Sequence, residues 1–139
     1  MSARVAMDGI EQLRWALRKL PQDLHEEAIV IVRAHADECA RITRAAYPIG
    51  PTGNLVRGVT VEHNSSKFFS QAIVRSRAKH SYIFENGTRE RRTNNNVSRG
   101  AMPQAEESQR FIPKAIRVRQ RMVRALIDMV RRYGLEVPD

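Results

Sequence analysis

Between Pro21 and the Tyr47-Pro48 pair, the residues Leu24, Ala28, Ile31, His35, Cys39, Ile42 and Ala46 recur three or four positions apart, the repeat of one helix face. Pro21 suits a first helical turn, where its missing N–H has no partner to lose. About 25 residues at ~1.5 Å each make a helix roughly 37 Å long. The whole chain has 139 residues, enough for one domain with one modest core. A helix of that length crosses the entire domain, so everything else must pack along it. Within it, Ala28-Ile29-Val30-Ile31-Val32 is apolar on every side. Such a run must be covered all round. Either it is buried on two sides (or is a strand), or its second apolar face meets a neighbouring subunit.

The remaining elements are shorter. Asp8 and Glu11 form a capping pair ahead of Ile10, Leu13, Leu17 and Leu20, which predicts a short helix from about Gly9 to Leu20. Tyr47 to Asn54 is a turn rich in Pro and Gly. Three strands are predicted after it: Val59 to His63, Gln71 to Arg77, and Ser81 to Glu85. Val59 and Val61 alternate with Thr60 and Glu62, and the polar stretch from Asn64 to Lys67 is a turn, so the sheet is antiparallel. From Asn86 to Ser108 no periodicity survives; a stretch of this kind is either a binding loop or a disordered surface loop.

Phe111-Ile112-Pro113 restarts order. Ile116, Val123, Ile127 and Val130 then define a helix face, widened by Met122, Leu126, Met129 and Tyr133 and ended by Gly134. Its other side carries Arg117, Arg119, Arg121, Arg124, Arg131 and Arg132, which read equally as a solvated face or as a docking surface for acidic groups. The expected fold is one α+β domain. It has N-terminal helices over about 9–46, a small mostly antiparallel sheet over about 55–88, an extended basic loop over about 89–109, and a C-terminal helix over about 112–133.

Charge narrows the function. Lys and Arg number 24 against 15 Asp and Glu, a net +9 that predicts an anionic partner, or an interface of forked arginine contacts. The single cysteine, Cys39, rules out an intramolecular disulfide framework. No run approaches the roughly 18–20 apolar residues of a membrane span, and the N-terminus lacks a signal-peptide core, so a cytosolic protein without membrane contact is expected. His35 and Cys39 share a helix face, but no further Cys or His motif completes a metal site, and core packing accounts for them better. Phosphate-binding glycine motifs and a recognisable Ser, His and acid trio are both missing. No catalytic residue, cofactor or metal is therefore expected. An enzyme using His80 or His63 beside Glu85 is the weakest of the readings. A small basic nucleic-acid-binding protein ranks above it, though no reading motif or base-stacking aromatic accompanies the arginines.

Three segments carry a family resemblance. Pro51-Thr52-Gly53-Asn54-Leu55-Val56-Arg57-Gly58-Val59 resembles the "TGNL-R-S-I/V" turn that opens the sheet in the head-tail joining or tail-completion (neck) proteins of long-tailed bacteriophages. Tyr82-Ile83-Phe84-Glu85-Asn86-Gly87-Thr88 resembles their "Y-x-x-x-E-x-GT" segment, with the acid one residue nearer the tyrosine. Met102-Pro103, then Phe111-Ile112-Pro113-Lys114-Ala115-Ile116, is similar to their "MP…PFL-PA-L" approach to the last helix. Arg110 replaces a usual proline, and Gln104 to Gln109 stands as an insertion. The family positions are thus Thr52, Gly53, Asn54, Leu55, Tyr82, Glu85, Gly87, Thr88, Phe111 and Ala115.

The resemblance implies a non-enzymatic structural protein of the virion. It would form a homo-oligomeric ring, sixfold or twelvefold, in the neck between head and tail, assembled in the host cytoplasm. Its implied neighbours are the connector or head-closure protein and a tail-tube or tail-terminator protein. Arg89, Arg91, Arg92 and Arg99 are the loop's candidate contacts to acidic groups on these, or non-specifically to passing DNA.

Overall fold

The computed structural model describes residues 3–4, 22–66 and 69–136. In chain order these form β1 (Ala3–Arg4), α1 (Gln22–Ala46), α2 (Asn54–Arg57), β2 (Val59–Ser65), β3 (Ser70–Ser76) and α3 (Ser81–Asn86), followed by β4 (Thr88–Arg92), β5 (Ser98–Met102), a 3₁₀ turn (Glu107–Gln109) and α4 (Phe111–Arg132). The fold is α+β. The helix predicted over about 9–20 lies outside the described residues.

The long helix dictates the arrangement. Leu24, His25, Ala28, Val32, Ala36, Cys39, Ala40 and Thr43 are buried positions of α1, a stripe rotated slightly from the predicted one and leaving Ile31, His35 and Ile42 half-buried on its flank. Against it lies α4, antiparallel. Its N-terminal Phe111, Ala115 and Val118 cluster with Cys39 and Ala40, while Met122, Leu126, Met129 and Val130 cluster with Leu24, Ala28 and Val32. The buried face of α4 therefore runs through Ala115 and Val118. Ile116, predicted as a core position, is 46% exposed.

Ion pairs Arg121–Glu38 (3.0 Å) and Arg132–Glu27 (2.6 Å) flank the seam. Both are partly solvated and contribute at most about 1 kcal/mol each; they fix the register of the two helices more than they hold them together. They also divide the arginine row of α4, because Arg117 pairs with Glu107 at 2.6 Å, while Arg124 and Arg131 have no ion-pair partner among the described residues. In the run apolar on every side, Val30 is 65% exposed, so that side of α1 is not covered by the described residues.

The first sheet has strand order β1-β3-β2, all pairs antiparallel, with Val59 opposite Ser76 and Val61 opposite Val74. Val59, Val61 and Val74 turn toward the core that α1 and α4 share.

Two expectations need correction. Ser81 to Glu85 is not a third strand but the short helix α3. Its two fully buried residues, Ser81 and Glu85, stand four apart, and the Ser81 hydroxyl donates to the Ser76 carbonyl at 3.1 Å. The polar residues face inward, one helical turn apart. The segment from Thr88 to Met102 is likewise not irregular. It is a second, two-stranded antiparallel sheet that projects as an arm, and β4 and β5 pack chiefly on each other.

Cys39 is buried in the core, and burial pushes its thiol up to about 11. Only the thiolate alkylates readily. Iodoacetamide at about pH 8 is therefore expected to leave the folded protein unlabelled and to label it fully in denaturant. Fast labelling of the folded chain would show that the helix seam opens.

A basic arm and the buried node that anchors it

The arm begins where α3 ends. Gly87, at φ 69° and ψ 178°, turns the chain out of the helix into β4. A side chain there would be strained twice over. Its φ is one that L-residues avoid, and a Cβ would lie 2.7 Å from the Gln104 nitrogen and 2.9 Å from the Met102 carbonyl oxygen. Gly87 is thus the point where the two roots of the arm pass closest.

Around it the roots are tied to α3. Gln104 Nε2 donates to the Glu85 carbonyl at 2.8 Å, the Ala105 amide to the Phe84 carbonyl at 3.2 Å, and the Met102 amide to Thr88 Oγ1 at 3.2 Å. Gln104, which had read as the start of an insertion, is one of these ties.

The Glu85 side chain reaches the other way. It is 1% exposed, and its carboxylate accepts from the Tyr47 hydroxyl at 3.0 Å, from the Ile112 amide at 3.4 Å and from the Phe111 amide. Phe111 and Ile112 open α4, whose first amides have no partner within the helix. No side chain of the local sequence caps this end, since Arg110 stands at the N-cap. A carboxylate from 26 positions upstream supplies the missing acceptors, and its negative charge sits at the positive end of the helix.

Tyr47 completes the node. Its hydroxyl also lies 3.3 Å from Ser76 Oγ, and its ring meets Phe84 edge-on, centroids 5.3 Å apart. Burial, with the Glu85 carboxylate beside it, pushes the Tyr47 phenol well above its ordinary value, so it remains a donor at neutral pH. At the edge of the node Lys114 donates to the carbonyls of Ser108 and Arg110 (3.2 Å to the latter). Desolvation lowers its pKa; the Glu85 carboxylate opposes this, and Arg117 and Arg110 add to it.

The family positions divide accordingly. Leu55, Phe111 and Ala115 are buried in one cluster, Glu85 caps the helix that Phe111 begins, and Gly87 and Thr88 form the root of the arm. Gly53, at φ 64°, turns the chain into α2, where Arg57 grips Asn54 Oδ1 (3.0 Å) and the Thr52 carbonyl. Tyr82 stands apart from these, 47% exposed on the outer side of α3. Tyr47, Ser76 and Ser81 belong to the node although no motif marked them. Tyr47 had read only as the start of the turn after the long helix.

Other chemistry is sparse. His63 pairs with Asp37 at 3.1 Å rather than with Glu85, and His80 precedes α3 on the surface. Among the described residues no group of three His, Cys, Asp or Glu side chains is placed to hold a metal, and no helix is long and apolar enough to cross a membrane.

No family model, curated protein or solved structure matches this chain. The functional reading therefore rests on the arm, the node and the order of the three sequence segments.

On the arm itself, Glu90 accepts from Ser98 Oγ at 2.7 Å and lies 3.5 Å from Arg92 Nη2, while Arg92 Nη1 donates to Asn96 Oδ1 at 3.2 Å. Arg89 and Arg99 are exposed with no ion-pair partner among the described residues. Arg91 is half-buried, and its Nε is enclosed without a hydrogen bond. The tip is closed by the Thr93 amide donating to the Val97 carbonyl (2.9 Å) and by Asn96 at φ 60°.

Proposed function

We propose that this chain is a non-enzymatic structural subunit of a phage, or phage-derived, particle neck, repeated around a sixfold or twelvefold ring that joins head connector to tail. The observation that carries the reading is the Glu85 node. It brings Glu85 of the second resembling segment onto Phe111 and Ile112 of the third by hydrogen bonds from their amides, and it mounts a projecting basic arm on a helical body. A rigid body with an outward arm suits a subunit whose work is contact rather than turnover. The uncovered side of α1 around Val30 supplies a surface for the next subunit, and head-to-tail contacts of this kind close into a ring when their rotation divides evenly.

Native mass spectrometry, with rotational symmetry from negatively stained images, tests this directly. Rings of six or twelve copies, alone or on a connector, are the expected result. A monodisperse monomer that never assembles with connector or tail would overturn the reading.

A further inference from the structure

We infer that the arm's partner is the phosphate backbone of double-stranded DNA, bound without regard to sequence, rather than an acidic protein surface. The inference rests on the arm contact proposed above and names its partner. Between Thr88 and Met102 the chain carries four arginines and one glutamate, and that glutamate is already engaged by Ser98 and Arg92 within the arm. Arg89 and Arg99 are left exposed and unpaired among the described residues, and Arg92, also exposed, has only the 3.5 Å pair with Glu90 and a hydrogen bond to Asn96. Exposed guanidinium groups are matched by the oxygens of a phosphate or a carboxylate.

Both classes of anionic partner offer such oxygens; the rest of the arm decides between them. Protein interfaces are anchored by a few desolvated residues, Trp, Tyr and Arg above all, seated together in well-packed pockets. Between Thr88 and Met102 the arm has no aromatic residue, and its only large apolar ones are Val97 and, at the root, Met102. The tip is Thr93, Asn94, Asn95 and Asn96, short polar groups of the kind that contact phosphate and sugar.

Shape agrees. Two strands of five residues make a ribbon roughly 17 Å long at ~3.3 Å per residue, and a two-stranded ribbon is one of the elements the major groove admits. The register of β4 with β5 shifts twice, between Thr88 and Arg91 and between Arg91 and Arg92. Thr88 pairs with Met102, Arg91 with Gly100 and Arg92 with Ser98, so each strand carries one extra residue. Bulges of this kind bend a strand and increase its twist, which curves a ribbon as a helical groove requires.

Fluorescence anisotropy with a mixed-sequence 20-base-pair duplex, the full-length chain and a salt series tests the inference. A polyglutamate peptide in parallel stands in for an acidic protein surface, and native mass is recorded on the same samples. Three phosphate contacts per arm predict a fall in duplex affinity of at least roughly 40-fold between 50 and 200 mM salt. Combining Arg89→Ala, Arg92→Ala and Arg99→Ala is expected to flatten that dependence by about 2–3 in logarithmic slope while leaving the ring mass unchanged. Equal slopes for variant and parent would overturn the inference. So would polyglutamate binding as tight as duplex binding with the same arginine dependence. Rings that form but do not bind duplex reject the DNA partner alone; arginine-dependent duplex binding by a chain that never forms rings rejects the neck reading alone.

Discussion

Replacing Glu85 with alanine is expected to lower the unfolding free energy by roughly 3–4 kcal/mol, read from urea denaturation followed by circular dichroism. The size follows from what the carboxylate does. It is the acceptor for the Tyr47 hydroxyl and for the Phe111 and Ile112 amides in a site closed to water. Truncation strands buried donors and leaves a small cavity, and hydrogen bonds to a charged group contribute about 1.5–3 kcal/mol each before such effects overlap. Tyr47→Phe removes one donor without stranding the helix and should cost only about 1–2 kcal/mol. Glu107→Ala loses only the exposed pair with Arg117 and should stay within ~0.5 kcal/mol. Equal effects of the Glu85 and Glu107 substitutions would refute the node as the element that secures the start of α4.

Excising residues 89–101 and joining Thr88 to Met102 through an Asn-Gly turn is expected to do the opposite. The folded body should survive with stability changed by less than about 1 kcal/mol, because β4 and β5 pack chiefly on each other. Thr88 and Met102 already face one another across the ladder, so a two-residue turn spans the gap without strain. Function should be lost. In a complementation assay, heads and tails carrying the shortened subunit are expected to accumulate unjoined. Normal yields of joined particles would remove the arm from the account of what this protein does.

How much of this was legible in the sequence depended on whether burial left a period. The helix expected from Pro21 to Ala46 is observed at Gln22–Ala46, and the one expected over about 112–133 at Phe111–Arg132, because each has one apolar face against the other. The strand at Val59 showed alternation for the same reason: one side meets the helices. The arm showed none because nearly all its residues are exposed, and without an inside and an outside a strand has no hydrophobic period. Its turn chemistry was visible, however. Asn96 sits at positive φ, a conformation asparagine tolerates, inside the only asparagine run of the chain.

The helix α3 was missed for a different reason. Tyr82, Ile83 and Phe84 have the composition of a strand, but the residues that face inward are Ser81 and Glu85, and a rule that looks for buried apolar groups passes over them. Glu85 itself was singled out by the resemblance, and as an acid beside His80 or His63, but not as a cap. Its role as a cap depends on a contact 26 positions away, which no local pattern encodes.

The geometry at Gly87 also has a mechanical side. Both roots of the arm are fastened to one short helix, and that helix grips the first residues of α4 through a single carboxylate. A tug on the arm would therefore be handed on, through these bonds, to the long antiparallel helix pair. In a ring threaded by a moving polymer, such a lever would let each subunit feel traction at its tip as torque on its body, and neighbouring bodies would share it.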